Sequence, residues 1–124
     1  MPNTSTASSI SSPSIAWLNN LSDAIERLRG VYPDMTLNQV SVFLCVASQP
    51  CINQRDVMER TGLTDSSISR IISILSGYGN RGTGPFNLLE LRESAGDRRV
   101  KELHLTKRGH DLVSDLTLAI ARGK

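Results

Sequence analysis

The stretch Gly96-Asp97-Arg98-Arg99 sets a carboxylate beside two guanidinium groups, between two short runs of alternating polarity. Adjacent arginines at a turn add nothing to a core. They are either solubilising charge or aimed at something negative, with Asp97 accepting hydrogen bonds from one guanidinium and holding it in a single pose. A second polar cluster, Asp65, Ser66, Ser67, Ser69 and Arg70, falls on the outward side of the helical pattern "TDSSISRIISILSGYG". Short hydroxyl side chains there let a helix backbone come close to a partner, and unpaired N–H groups at its start favour an anion.

Charge is distributed to match. The whole chain is only +2, but residues 66–110 carry eight basic side chains against four acidic ones, whereas residues 1–65 carry four against six. The positive field therefore gathers around the two clusters. Arg92 and Lys101 lie on the alternating runs and are either exposed strand charges or further anion contacts. Lys107 and Arg108 open a helix, where cations oppose the dipole. They are read as solvated charge, with a phosphate contact as the alternative.

Other chemistries find little support. Cys45 and Cys51 flank Pro50 and are read as reduced thiols, with His104 and His110 isolated from any ligand spacing, so no metal site and no cofactor are expected. There is no Gly-rich phosphate loop and no Ser/His/Asp signature, which argues against an enzyme. No run approaches the roughly 18 apolar residues of a membrane span, and the uncharged, Ser/Thr-rich N-terminus lacks the pattern of a secretion signal. A cytoplasmic protein of one domain is expected, with 39% hydrophobic residues to build its core.

The elements that must position these groups follow from periodicity. Residues 1–13 read as a flexible tail. A helix is expected over about 14–29, started by Pro13 and stopped by Gly30, with a narrow seam of Leu18, Leu21, Ile25 and Leu28 suited to packing on another helix. Thr36 and Gln39 form a capping box for a buried helix with Leu37, Val40, Leu44 and Ala47 on its inner face and Phe43 beside it. Asn53 caps a short helix with Val57 and Met58 inward, and Gly62 ends it with positive φ. Thr64 or Asp65 caps the next, whose inner face is Ile68, Ile71, Ile72 and Leu75. Two short helices joined tightly through a glycine make a helix-turn-helix. Residues 80–87 form a turn-rich connection. "LLELRE" and "RVKELHL" then make a β-hairpin with Leu89, Leu91, Leu103 and Leu105 inward, and Gly96 permits its tight turn. Thr106 caps a last helix with a stripe of Leu112, Val113, Leu116 and Ile120. The fold class is mainly α with a small β-hairpin, a winged helix-turn-helix with N- and C-terminal helices.

Three segments in order then resemble the MarR-type winged-helix transcriptional regulators: "TLNQVSVFLCVAS", "LTDSSISRIISIL" and "GDRRVKELHLTKRG", together spanning about residues 36–116. On this resemblance Ser66, Ser67, Ser69 and Arg70 lie on the polar face of a recognition helix. Asp97 and Arg99 fall on the wing pair, and Leu105, Thr106 and Gly109 on the strand-to-helix junction. The resemblance implies a homodimer on a near-palindromic duplex DNA operator, usually as a repressor. Its dimer would form through a helix at 14–30 and a helix at 106–124, with Leu18, Leu21, Ile25, Leu28, Leu112, Leu116 and Ile120 at the interface. Residues 31–105 would be the DNA-binding domain, with Asp65, Ser66, Ser67, Ser69, Arg70, Arg98, Arg99 and Lys101 as contacts. The recognition helix would enter the major groove, and Arg98 or Arg99, oriented by Asp97, the minor groove. The turn-rich connection and a C-terminus shorter than the family's usual tail depart from the pattern. No residue set identifies an effector pocket, although Trp17, Tyr32 and Phe43 are candidates for core or interface. The competing reading is a winged helix used as an interaction module in a replication or partition assembly, which would bury apolar groups on the recognition-helix face.

Overall fold

The structure, a computed structural model, describes residues 12–76 and 86–121. These form helices α1 (Ser12–Val31), α2 (Leu37–Ser48), α3 (Gln54–Thr61), α4 (Asp65–Ser76) and α5 (Lys107–Ala121), and strands β1 (Ile52–Asn53), β2 (Leu89–Ser94) and β3 (Asp97–Leu105). The described residues divide into two compact units, one of those between 35 and 113 and one of those before 35 and after 113.

In the central unit, local rules set most element ends. Thr36 Oγ1 accepts from the Gln39 amide at 3.1 Å, and Gln39 Oε1 accepts from the Thr36 amide at 3.0 Å, closing the expected capping box of α2. The inward face of α2 differs from the one expected. Val42, Phe43, Cys45 and Val46 are buried, whereas Leu37 is 82% exposed and Leu44 47%. Residues 42–47 are all apolar, so periodicity alone does not choose a face; packing does. Asn53 Oδ1 accepts from the Asp56 amide at 2.9 Å and caps α3, and Gly62 ends it with φ 75°. Val57 is fully buried, while Met58 is only half-buried. Thr64, rather than Asp65, caps α4, its Oγ1 accepting from the Ser67 amide at 3.2 Å. The inner face of α4 is as expected, with Ile68, Ile71, Ile72 and Leu75 buried.

The sheet has three antiparallel strands in the order β1-β3-β2, where a two-stranded hairpin was expected. The added strand holds only two residues, too few for an alternating pattern to register. It pairs Ile52 with Leu103 and Asn53 with Glu102. β2 pairs Leu89 with Leu105 and Leu91 with Leu103, with an irregularity at Glu93/Ser94 before the Ala95-Gly96 turn. Gly96 does not take a positive φ, and a Cβ there would meet nothing within 4 Å, so the turn does not depend on glycine.

The Leu-Thr-Lys-Arg-Gly junction, by contrast, does. A Cβ on Gly109 would stand 2.3 Å from the Leu88 carbonyl oxygen. That oxygen also accepts from the Thr106 amide at 3.0 Å. Thr106 Oγ1 donates to the Asn87 carbonyl at 2.7 Å and accepts from the Gly109 amide at 3.0 Å. One threonine thus caps α5 and ties it to the segment entering β2.

In the terminal unit, α1 begins two residues earlier than expected, taking in Ser12 and Pro13; the remainder of the expected tail lies outside the described residues. A proline costs nothing in the first turn, where N–H groups have no helical partner. Gly30 does not stop the helix, which runs to Val31. Pro33 is the better stop, because it disfavours helical backbone at Tyr32. Arg27 Nη1 lies 2.8 Å from Asp115 Oδ1, and Asn20 Nδ2 donates to the Ile120 carbonyl at 3.0 Å. Ala24, Leu28, Leu116 and Ala119 are buried. Leu18, Leu21 and Ile25 are exposed, and so is Ile120, while Ala119 is buried beside Leu116 on the inner side of α5.

Candidate nucleic-acid interface

The wing tip is built on one carboxylate. Asp97 Oδ1 accepts from the Arg99 amide at 3.0 Å and from its Nε at 3.2 Å, and Oδ2 accepts from Arg99 Nη2 at 3.4 Å. The side-chain bonds, then the backbone bond, hold the Asp97 carboxyl below the usual carboxylate range. The Arg99 side chain is 90% exposed, so the brace orients a guanidinium that still faces solvent. Asp97 and Arg99 are therefore together as expected. The Arg98 side chain lies outside the described residues.

Three cations converge beside this tip. Arg55, from the first turn of α3, lines an open hollow of about 350 Å³ with Asn53, Gln54, Arg99, Val100 and Lys101. Lys101 Nζ stands 3.6 Å from Glu93, an exposed pair that leaves it partly committed. Arg92 pairs with Glu90, Lys107 with Asp111 at 3.2 Å, and Arg108 Nη1 donates to the Phe86 carbonyl at 3.3 Å. Arg99 and Lys101 also have acidic neighbours, Asp97 and Glu93, but together with Arg55 they share an open concavity suited to an anion. Arg55 was missed by sequence reasoning. Its signal was a cation two residues after a helix cap, where the dipole disfavours it.

On α4, Ser66, Ser69 and Arg70 are exposed and Ser67 is half-buried. Gln54 Nε2 donates to Asp65 Oδ1 at 2.8 Å and to Ser69 Oγ at 2.9 Å. Thr64 Oγ1 donates to Ser67 Oγ at 3.0 Å and lies 3.4 Å from Ser66 Oγ. The face is thus a hydrogen-bonded polar surface, with no large apolar side chain exposed along α4. Gln54 was also missed, since only the turn between the helices brings it to that face. Arg81 and most of the turn-rich connection lie outside the described residues.

Phe43 and Cys45 are in the core and Trp17 is exposed. Burial pushes the Cys45 thiol up, partly offset by Arg60. His104 is not isolated as expected: its Nε2 lies 3.1 Å from Glu102 Oε1, and Cys51 is beside them.

Among the described residues no helix is long and apolar enough to cross a membrane. Neither a sequence-family model nor a curated protein matches the chain. Solved structures do. The chain is similar to the PcaV transcriptional regulator from Streptomyces coelicolor, solved with its natural ligand: 29% identity, TM-score 0.54, covering 79% of this chain and 70% of that one. A second PcaV structure gives 31% identity, TM-score 0.56 and coverage of 73% and 60%. The repressor CouR, bound to a 23-mer DNA duplex, shares 24% identity at TM-score 0.60, covering 86% and 68%. A point mutant of MepR from S. aureus, bound to an oligodeoxyribonucleotide, shares 21% at TM-score 0.60, covering 85% and 68%. The chain spans 60–70% of the length of these relatives.

Helix-turn-helix, three-stranded sheet and braced wing define a winged helix-turn-helix protein. Its solved neighbours are MarR-family winged-helix transcriptional regulators, whose fold the chain shares.

Proposed function

We propose that the chain is a sequence-specific, double-stranded DNA-binding transcriptional regulator that acts as a homodimer on a near-palindromic operator, as a repressor. The carrying observation is the Asp97–Arg99 brace, which presents an exposed guanidinium beside Arg55 and Lys101 in the same compact unit as the polar face of α4. Arg99 enters the minor groove, where negative potential is deepest, and Ser66, Ser69 and Arg70 approach base edges and phosphates in the major groove. Ser67 and Asp65 act through their neighbours, holding Thr64 and Gln54 in place. Arg55 and Lys101 neutralise backbone phosphate, and Arg98 adds to that charge.

The dimer reading is supported by apolar side chains left open on the terminal unit: Leu18, Leu21 and Ile25 on α1 and Ile120 on α5. A second copy would cover them, with Leu28, Leu112 and Leu116 supporting from the buried side. Two-fold symmetry would place half-sites about one helical turn, ~10 bp, apart. DNA binding by MepR and CouR supports this reading.

Selection of binding sites from random duplex DNA tests it. Recovery of a palindrome is expected; recovery of no sequence would contradict it and favour an interaction module.

A further inference from the structure

We propose that Cys51, Glu102 and His104 form a site for a borderline divalent transition-metal ion of the zinc or cobalt class, at the root of the wing. The Cys51 sulfur, a Glu102 carboxylate oxygen and a His104 ring nitrogen all lie within 4.8 Å of one another. The sheet creates this proximity. Glu102 and His104 are two apart on β3 and share a face. The β1–β3 pairing of Ile52 with Leu103, carried one residue further, sets Cys51 against His104. Sequence spacing gives no hint of it.

Geometry and chemistry both suit an ion. With Zn–N and Zn–O near 2.0–2.1 Å and Zn–S near 2.3 Å, tetrahedral ligand atoms stand about 3.3–3.6 Å apart. Glu102 Oε1 and His104 Nε2 are already 3.1 Å apart. The exposed Cys51 sulfur lies within 4.8 Å of both and would close in on binding. Thiolate, carboxylate and imidazole are a mixed S/O/N set that suits zinc or cobalt better than calcium or magnesium, and its two negative charges balance a divalent cation. Glu102 and His104 are mostly shielded from solvent, while exposed Cys51 leaves an open side for water or a fourth ligand. The adjoining hollow of about 170 Å³ is also lined by Arg92 and His110. Arg92 is paired with Glu90, so its charge is already partly balanced. His110 is a second imidazole within the same hollow.

Backbone conformation supplies an independent pointer. Cys51 has φ 65°, a left-handed conformation that glycine or asparagine adopts far more readily. Such outliers concentrate at functional sites. The other cysteine, Cys45, is buried in the core and takes no part.

Cobalt(II) titration of the reduced, metal-free whole chain tests the site without DNA, so its outcome is separate from that of the DNA-binding reading. One equivalent is expected to produce a near-ultraviolet thiolate-to-cobalt charge-transfer band, which zinc(II) then displaces. Cys51→Ala should abolish the band, Cys45→Ala should keep it, and Glu102→Gln or His104→Ala should weaken binding by about tenfold or more. Zinc should also raise the unfolding midpoint of the parent but not of Cys51→Ala. Absence of the band in the parent, its survival in Cys51→Ala, or unchanged affinity in both Glu102→Gln and His104→Ala would overturn the proposal.

Discussion

The Gln54 side-chain amide donates to Asp65 Oδ1 at 2.8 Å and to Ser69 Oγ at 2.9 Å, so one residue at the start of α3 spans the first turn of α4. Asp65 favours the positive end of the α4 dipole but would repel phosphate if it faced one. Held by Gln54, it acts as a strut. The two helices of the motif are therefore joined on their polar side, while each also buries a side chain in the core, Val57 from α3 and Ile68 from α4.

That strut should appear as coupling. Gln54→Ala and Ser69→Ala, combined in a double-mutant cycle by urea unfolding, should show an interaction of about 0.5–1 kcal/mol, the usual range for a hydrogen bond. Additivity within ~0.3 kcal/mol would mean that the contact is not formed in solution.

The wing brace carries a pH signature. Arg99 lowers the folded-state pKa of Asp97 relative to the unfolded chain, so its stabilisation is present above the unfolded carboxylate value, ~3.9. It is lost as pH falls through the lower folded value. Between pH 5 and 8 the brace should be intact and independent of pH. Carboxyl resonances followed by NMR should show the Asp97 midpoint rising in Arg99→Ala; an unmoved midpoint would contradict the pairing.

At Gly109 two effects oppose each other. Alanine normally gains up to ~1 kcal/mol over glycine in a helix. Here its Cβ would meet a backbone oxygen at 2.3 Å, and overpacking of that kind costs about 1–3 kcal/mol. Gly109→Ala should therefore lower stability by roughly 1–2 kcal/mol, read as a reduced urea midpoint at unchanged slope. A rise in midpoint would show that the junction is looser.

The open seam on α1 predicts an assembly defect. Leu21 is 50% exposed and Ile25 43%. Leu21→Asp or Ile25→Asp should convert a dimer to a monomer in sedimentation equilibrium while leaving the helical circular dichroism intact. A parent that is itself monomeric at micromolar concentration would rule the dimer out.

What was legible in the sequence was mostly local. The Thr36/Gln39 box, the Asn53 cap, the left-handed Gly62 and the inner face of α4 each depend on residues within a turn of one another, and the structure holds them as expected. The Asp97–Arg99 pair was legible for the same reason. What escaped depends on distant chain segments. The inward face of α2 was misassigned because its apolar run has no polar side to mark it. β1 was invisible at two residues, and with it the meeting of Cys51 with His104. Gln54 and Arg55 reach the interface only because α3 folds back against α4 and β3.

Contact between DNA and the Arg99 guanidinium, braced by Asp97, is the central claim. Affinity of the parent and of Arg99→Ala for the selected duplex should be measured across a series of salt concentrations. The parent should weaken linearly in log–log form, with a slope set by the phosphates neutralised, and Arg99→Ala should bind about 1–3 kcal/mol less tightly. Binding insensitive to salt, or equal affinity for the two proteins, would contradict it.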